Sequence, residues 1–293
     1  MTTIAFVTSA ELAELTADDR LAIPHLEARG ARVVPAVWTD ERVRWDTFDL
    51  VVLRSPWDWH VDPARFAAFV ESLERRVRVE NRRTAAWLDK RYLARLGQAG
   101  VRVVPTEVVA SRDDLAAKVA KYNEPLVLKP ATAAGASRTE RFDARGAAPM
   151  ATLDAILARR VANGDFDAAL LQPFVPEVES DGEWSLLFFD GTFSHAIKKR
   201  PKRGDFRVQE EFGGSVEMLQ APPEIVRAAA HALEVAGGRF LYARVDGIVV
   251  PRFGGFCVTE LEVVEPEVFL RAHPEAPARF AEAMLQRVTI PAV

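Results

Sequence analysis

Residues 241–264 read LYARVDGIVVPRFGGFCVTELEVV, two apolar runs joined by PRFGG. Side chains alternate between the two faces of a strand. Residues 241–250 and 255–264 are therefore read as paired strands, with Arg244, Asp246, Glu260 and Glu262 on one shared face. A loop of about three residues centred on Phe253 sets the register and opposes Asp246 to Glu260 and Arg244 to Glu262. Ile248, Val250, Phe256 and Val258 are expected on that face too, so it is not a plain solvated surface. Carboxylates directly opposed on a sheet repel each other. A divalent cation relieves that repulsion, and magnesium takes one or two carboxylates together with substrate phosphates. The residues alone leave a second reading open, in which the acids face water at the edge of an ordinary sheet.

Upstream, WSLLFFD and TFSHAIK flank Asp190-Gly191, a strong two-residue hairpin signal, and a helix is predicted over 223–236. PLVLKP is a strand carrying Lys129, followed by the small-residue loop ATAAGAS. A helix over 151–163 leads to the strand AALLQPFV. Thr84 caps a predicted helix, AAWLDKRYLARLGQAG, that stops at Gly100. VRVVPTEVV is the next strand and SRDDLAAKVAKY the next helix. At the N-terminus TIAFVT, ARVVPAV and FDLVVLR are strands. Thr16 with Asp19 resembles a capping box, Pro24 moves the helix start beyond Asp19, and Gly30 ends it. Strand–helix–strand spacing predicts a parallel sheet and an α/β N-terminal part, and the hairpins beyond Pro173 give an α+β C-terminal part. The expected divisions are 1–80, 81–172 and 173–293.

Ligands of parallel sheets collect beyond the carboxyl ends of the strands, where RSPWDWH (residues 54–60) follows FDLVVL. There Arg54, beside Ser55, can grip a carboxylate in bidentate fashion. Asp58 can pair with an ammonium, and Trp57 can supply an apolar wall or a cation–π contact. A small zwitterionic amino acid suits that set. The alternative is that Pro56 and Trp57 pack a domain junction.

Small side chains after Lys129 let backbone N–H groups approach a phosphate, and the ammonium adds a point charge. The Walker A pattern is absent, and the loop alone reads first as an ordinary flexible turn. Lys90 lies on a predicted helix, the usual place for a solvated lysine. KKRPKRGDFR (residues 198–207) is a solvated loop or an anion clamp over a triphosphate; a nucleic-acid patch would want interleaved aromatics, and only Phe206 is present in an acidic chain. The five histidines show no paired metal spacing, and only His60 lies near the expected substrate loop. No G-x-S-x-G elbow or Cys/His pairing supports a protein nucleophile.

A length of 293 residues suits two or three subdomains, and a net charge of −4 gives no basic field for nucleic acid. The single Cys257 excludes an intramolecular disulfide and a cysteine zinc cluster. No apolar stretch approaches the roughly 18 residues of a membrane span, and the N-terminus lacks a signal-peptide pattern. A soluble cytoplasmic protein is expected, with no membrane or nucleic-acid partner, and homo-oligomer formation is left open.

In order along the chain, WLDKRYLARL, GVRVVPT, LVLKP, LLQPFVPEVESDGEWSLLFFDG, KKRPKRGDFRVQEEFGG, YARVDG and TELEVVEP resemble the ATP-grasp superfamily, especially bacterial glutathione synthetase-like enzymes, over about residues 84–270. The resemblance implies an ATP-grasp fold behind an N-terminal pre-ATP-grasp domain. It implies ATP and two magnesium ions, with manganese as a substitute. Lys90 and Lys129 would hold phosphates. Gln172, Phe174 and Val175 would form the adenine hinge, with Glu183 near the nucleotide. Lys199 and Arg207 would close over the triphosphate and the acyl phosphate. Asp246, Glu260 and Glu262 would bind the metal, and Arg244 would steady developing negative charge. The family usually has Asn where Glu262 and Gln209 stand; Glu262 adds a charge, and Gln209 puts that position's metal or loop role in doubt.

VTSAELAELTADDR, FDLVVLRSPWDWH and NRRTAAWLDKRYL resemble the narrower subgroup that contains the O-ureido-serine cyclo-ligase of cycloserine biosynthesis. Activation of a small-molecule carboxylate as an acyl phosphate, followed by attack of an amine-type nitrogen, is the implied reaction, with attack from within the molecule giving a ring. A small-molecule kinase or a non-catalytic ATP-binding protein on the same fold is the rival expectation.

Overall fold

Three sheets follow one another along the chain. The computed structural model describes residues 1–133, 138–163, 168–208 and 212–289. The first sheet holds β1 (Thr2–Thr8), β2 (Ala31–Val37), β3 (Leu50–Ser55) and β4 (Val79–Glu80), in the order β2-β1-β3-β4 with every pair parallel. The middles of β1 and β3, Ile4 to Val7 and Leu50 to Leu53, are continuously apolar because both faces are covered. Ile4, Phe6, Leu50 and Val52 pack with the C-terminal helix Ala276–Thr289. Ala5, Val7, Val51 and Leu53 pack with Trp59 and the helix Pro63–Glu74. The single helix expected before Gly30 is two short ones, Ala17–Arg20 and Ile23–Glu27. Thr16 caps the first, accepting the Asp19 N–H at 3.0 Å. Pro24, which has no N–H to give the preceding turn, opens the second.

The second sheet holds β5 (Glu107–Val109), β6 (Pro125–Pro130), β7 (Glu140–Asp143) and β8 (Ala169–Pro173), ordered β5-β8-β6-β7 and antiparallel. Leu115 and Val119 of one helix and Leu153 and Ile156 of another bury against its Leu126, Leu128 and Leu171. Two expectations change here. The strand predicted over 101–109 is regular only at its end, where β5 follows Pro105, although Val103 bridges to Val258. The long helix predicted after Thr84 is a 3-10 turn, Thr84–Trp87, and a helix, Tyr92–Gln98. The break is at Lys90, whose N–H bonds to the Ala131 carbonyl at the end of β6, while the Asp89 carboxylate accepts the Arg91 N–H. Tyr92, Leu93 and Leu96 then pack on the third sheet.

That sheet holds β9 (Glu183–Phe189), β10 (Thr192–Arg200), β11 (Ser215–Met218), β12 (Tyr242–Val250) and β13 (Gly255–Glu262), ordered β11-β10-β9-β12-β13. Asp190 and Gly191 turn with φ of 48° and 78°, as a two-residue hairpin requires. Ile225, Ala229, Ala232 and Leu233 of the helix Pro223–Val235 cover the back.

The expected register holds at the acidic end, where Arg244 faces Glu262 and Asp246 faces Glu260. It then slips, and Gly247 faces Val258, leaving Thr259 as an extra residue on β13. Phe256 and Val258 are therefore not beside the acids as predicted; they lie on the opposite face, in the core under the helices. Ile248 and Val250 keep company with Cys257. Gly247 makes the slip feasible: a Cβ there would stand 2.3 Å from the Phe256 ring and 2.7 Å from the Cys257 carbonyl.

The first sheet is riveted to this hairpin. Asn81 donates to the Tyr242 and Val263 carbonyls, each at 2.8 Å, and accepts the Leu241 N–H at 2.6 Å. The Tyr242 hydroxyl contacts the Leu53 and Val264 carbonyls at 2.8 Å.

Candidate active site

A cavity of about 830 Å³ opens between the second and third sheets and reaches the loop after β3. On its floor Asp246, Glu260 and Glu262 each bring a carboxylate oxygen within 4.8 Å of the others. Basic groups hold all three. Arg244 Nε lies 3.0 Å from Asp246 and Nη2 lies 2.5 Å from Glu262. Lys199 Nζ lies 3.3 Å from Asp246, and Lys90 Nζ lies 2.8 Å from Glu260. The Ser185 hydroxyl donates to Asp246 at 2.5 Å. Burial alone would raise the Asp246 pKa, but Arg244 and Lys199 outweigh it and hold the carboxyl below its usual range. Three acids thus sit against three cations, a balanced cluster that a nucleotide phosphate and its divalent counter-ions can enter together. Clustered carboxylate oxygens are hard donors and fit magnesium rather than a soft metal.

Lys129 differs from the other lysines of the cavity. It has no carboxylate partner among the described residues, and burial together with repulsion from Lys90 pushes its pKa down to about 8. Burial also lowers that of Lys90, whose Nζ donates to the Ala133 carbonyl at 2.6 Å. Phe174 and Val175 join Val104 and Ile248 in an apolar slot open to the cavity. Gln172 lines the same wall and donates to the Thr106 hydroxyl at 2.8 Å. Glu183 is held by Lys199 at 3.5 Å and by the hydroxyl of the bulged Thr259 at 2.6 Å, so the bulge re-aims a side chain into the site. Arg207 lines the cavity, pairs with Asp205 at 2.7 Å and stacks 3.8 Å over Phe212. Gln209 and residues 134–137 of the small-residue loop lie outside the described residues.

The expected substrate loop is rearranged. Trp57 and His60 line the cavity. Arg54, Ser55 and Asp58 are instead committed to internal contacts. Arg54 is 1% exposed, pairs with Asp19 at 2.9 Å and donates to the Pro266 carbonyl at 3.0 Å. Ser55 Oγ meets Thr8 Oγ1 at 3.0 Å, and Asp58 accepts the Trp38 indole N–H at 2.7 Å. The end of β3 is closed by the chain after β13, which strand-end reasoning cannot see.

That same chain brings a residue the sequence reading missed. Glu265 lines the cavity, accepts the Trp59 indole N–H, and lies beside Trp57, which donates to its carbonyl at 3.1 Å. Burial and the nearby Glu262 push its pKa up to about 7. Its one signal was an acid set between apolar Val264 and Pro266. Tyr92 was also missed; its hydroxyl accepts the Leu261 N–H at 3.0 Å and steadies β13 between the acids.

Comparison with known proteins identifies the family. Residues 4–81 match the family described as D-cycloserine synthetase DcsG, N-terminal domain, and residues 95–248 match the prokaryotic glutathione synthetase ATP-grasp domain. The chain is 34% identical over 266 residues to the cycloserine biosynthesis protein DcsG of Streptomyces lavendulae, covering 86% of this chain and 87% of that protein. It is 29% identical over 239 residues to a glutathione synthetase of Parasynechococcus marenigrum (strain WH8102), covering 79% and 71%. The crystal structure of D-cycloserine synthetase DcsG superposes with a TM-score of 0.82 at 30% identity, over 98% of this chain and 100% of the other. D-alanine–D-alanine ligase from Bacillus anthracis shares the fold, with a TM-score of 0.67 at 14% identity over 98% and 97% of the chains. Members of the ATP-grasp family use ATP with magnesium. No helix among the described residues is long and apolar enough to cross a membrane. The chain belongs to the ATP-grasp family of prokaryotic glutathione synthetases and of DcsG, and it is an ATP-dependent ligase that forms a C–N bond.

Proposed function

We propose that the chain activates the carboxylate of a small amino-acid-like substrate as an acyl phosphate and closes it onto a nitrogen of the same molecule, as a step in making an antibiotic. The carrying observation is the balanced cluster of Asp246, Glu260 and Glu262 with Lys90, Lys199 and Arg244 in one cavity that ends at Trp57. The likeness to DcsG over most of the chain supports cyclisation in particular.

In the first half-reaction a carboxylate oxygen attacks the γ-phosphorus of ATP, the bond to the β–γ bridging oxygen breaks, and ADP leaves. Lys90 and Lys129 bind the phosphates, and Arg244 with Lys199 faces the charge that develops on the transferred group. Asp246, Glu260 and Glu262 would hold two magnesium ions, or manganese in their place, which supply charge neutralisation at the phosphates. Gln172, Phe174 and Val175 seat the adenine beside Glu183, and Arg207 covers the triphosphate. In the second half-reaction the nitrogen attacks the acyl carbon, loses a proton, and inorganic phosphate leaves. The ring closes because both reacting groups are held together and water is kept out. The substrate meets the wall of Trp57 and His60, since Arg54, Ser55 and Asp58 are occupied elsewhere.

A screen of amino-acid-like carboxylates for ADP release, with hydroxylamine present and mass spectrometry of products, tests this. A hydroxamate and, without hydroxylamine, a dehydrated cyclic product are expected. ADP release with a stable phosphorylated product and no hydroxamate would make the enzyme a kinase instead.

A further inference from the structure

Charge around the cavity is matched almost everywhere. Asp246, Glu260, Glu262 and Glu183 each have a lysine or arginine within ion-pair distance. Glu267, further along the same segment, pairs with Arg271. Glu265 is the exception: it is half-buried on the cavity wall, and among the described residues no cation lies within ion-pair distance of it. Its contact inside the protein is one indole N–H from Trp59. A partly desolvated carboxylate without a counter-charge is driven towards its protonated form, and a cationic ligand group placed beside it would restore the charge.

The position of Glu265 says which ligand group that is. It is not part of the metal-spaced cluster of Asp246, Glu260 and Glu262. It stands where the chain after β13 meets the tryptophans of the first sheet's loop, beside Glu262 and within reach of the Lys90 charge. Lys90 and Arg244 lie on the phosphate side, so a substrate carboxylate is drawn towards them and repelled by Glu265. Trp57 offers an aromatic surface next to Glu265, favourable to a cation.

We propose that Glu265 anchors the ammonium group of the substrate and thereby turns its carboxylate towards the phosphates, a specificity role that nothing in the sequence motifs assigned. The assignment rests on the amino-acid-ligase reading above. It takes the place that Asp58 was expected to fill.

The test compares O-ureido-D-serine and O-ureido-L-serine with analogues in which hydrogen replaces the amino group, using ADP release by the full chain with ATP and magnesium. For the unaltered enzyme kcat/KM should favour the better amino compound by about tenfold or more, the value of a charge-assisted contact. In Glu265→Gln this preference should fall to about threefold or less, while KM for ATP stays within about twofold. Glutamine keeps an oxygen for the Trp59 N–H and removes the lone charge, so the melting temperature of the ligand-free variant should equal or exceed that of the unaltered protein. Retained discrimination in Glu265→Gln overturns the anchor and leaves the ligase reading standing. A variant that misfolds or melts lower also overturns it, because the carboxylate is then structural. If the unaltered enzyme turns over neither amino compound, the substrate reading falls and the anchor with it.

Discussion

Among the described residues two arginine–aspartate pairs are deeply buried, Arg54 with Asp19 at 2.9 Å and Arg244 with Asp246 at 3.0 Å. They share residue types, distance and burial, yet their surroundings are opposite. Arg54 spends its remaining donors on the Leu53 and Pro266 carbonyls and lies 5.0 Å from the Tyr242 ring. It closes the end of β3 against the chain after β13. Arg244 is shared between Asp246 and Glu262, Asp246 is shared between Arg244 and Lys199, and the group faces a cavity. A buried pair costs desolvation in either place. What separates a rivet from a reaction surface is whether further charges and open space adjoin it.

The largest expected effect breaks the first pair. Arg54→Met leaves Asp19 buried without its counter-charge and should lower unfolding stability by about 3–5 kcal/mol in urea titrations. At temperatures where the variant stays folded, its KM values should be unchanged. A stable variant with a raised substrate KM would return Arg54 to the substrate site. Asp246→Asn should do the reverse. Arg244 keeps Glu262 and Lys199 keeps Glu183, so melting should move little while turnover falls by about 10²–10³-fold. Equal loss of stability in both variants would erase the distinction between the pairs. Next in size, Lys129→Ala should cost about 1.5–3 kcal/mol of phosphate binding, read as a tenfold or greater rise in KM for ATP or fall in kcat.

The same contrast explains what could be read from sequence. The opposed acids of β12 and β13 were legible because register within one hairpin depends on residues close in the chain. The bulge at Thr259 was not, since it depends on Phe256 packing across Gly247. The break at Lys90 was hidden for a similar reason: its cause is the Ala131 carbonyl, on a different sheet. Arg54 was read as a ligand group because strand ends usually are, whereas the segment that covers it arrives from Pro266, far along the chain. Glu265 went unread because an acid acquires meaning only once its neighbours, here Trp57 and Trp59, are known.

The smallest expected effect concerns a cation that belongs to neither pair. Burial, with repulsion from Lys90, lowers the Lys129 pKa to about 8. Below that pH the ammonium is charged and attracts phosphates; above it the charge is lost. Raising the pH from 7 to 9 should therefore reduce kcat/KM for ATP by up to about tenfold, because that ratio reports groups of the free enzyme. Burial and Glu262 push the Glu265 pKa up to about 7, but in the anchoring role proposed above that residue should shift the KM of the amino-acid substrate instead. Lys129→Arg keeps a charge throughout this range and should flatten the profile. Lys129→Ala should be flat and low. A Lys129→Arg enzyme that keeps the original slope would assign the titration to another group, Lys90 first, and Lys129 would then not be the cation that sets the grip on ATP.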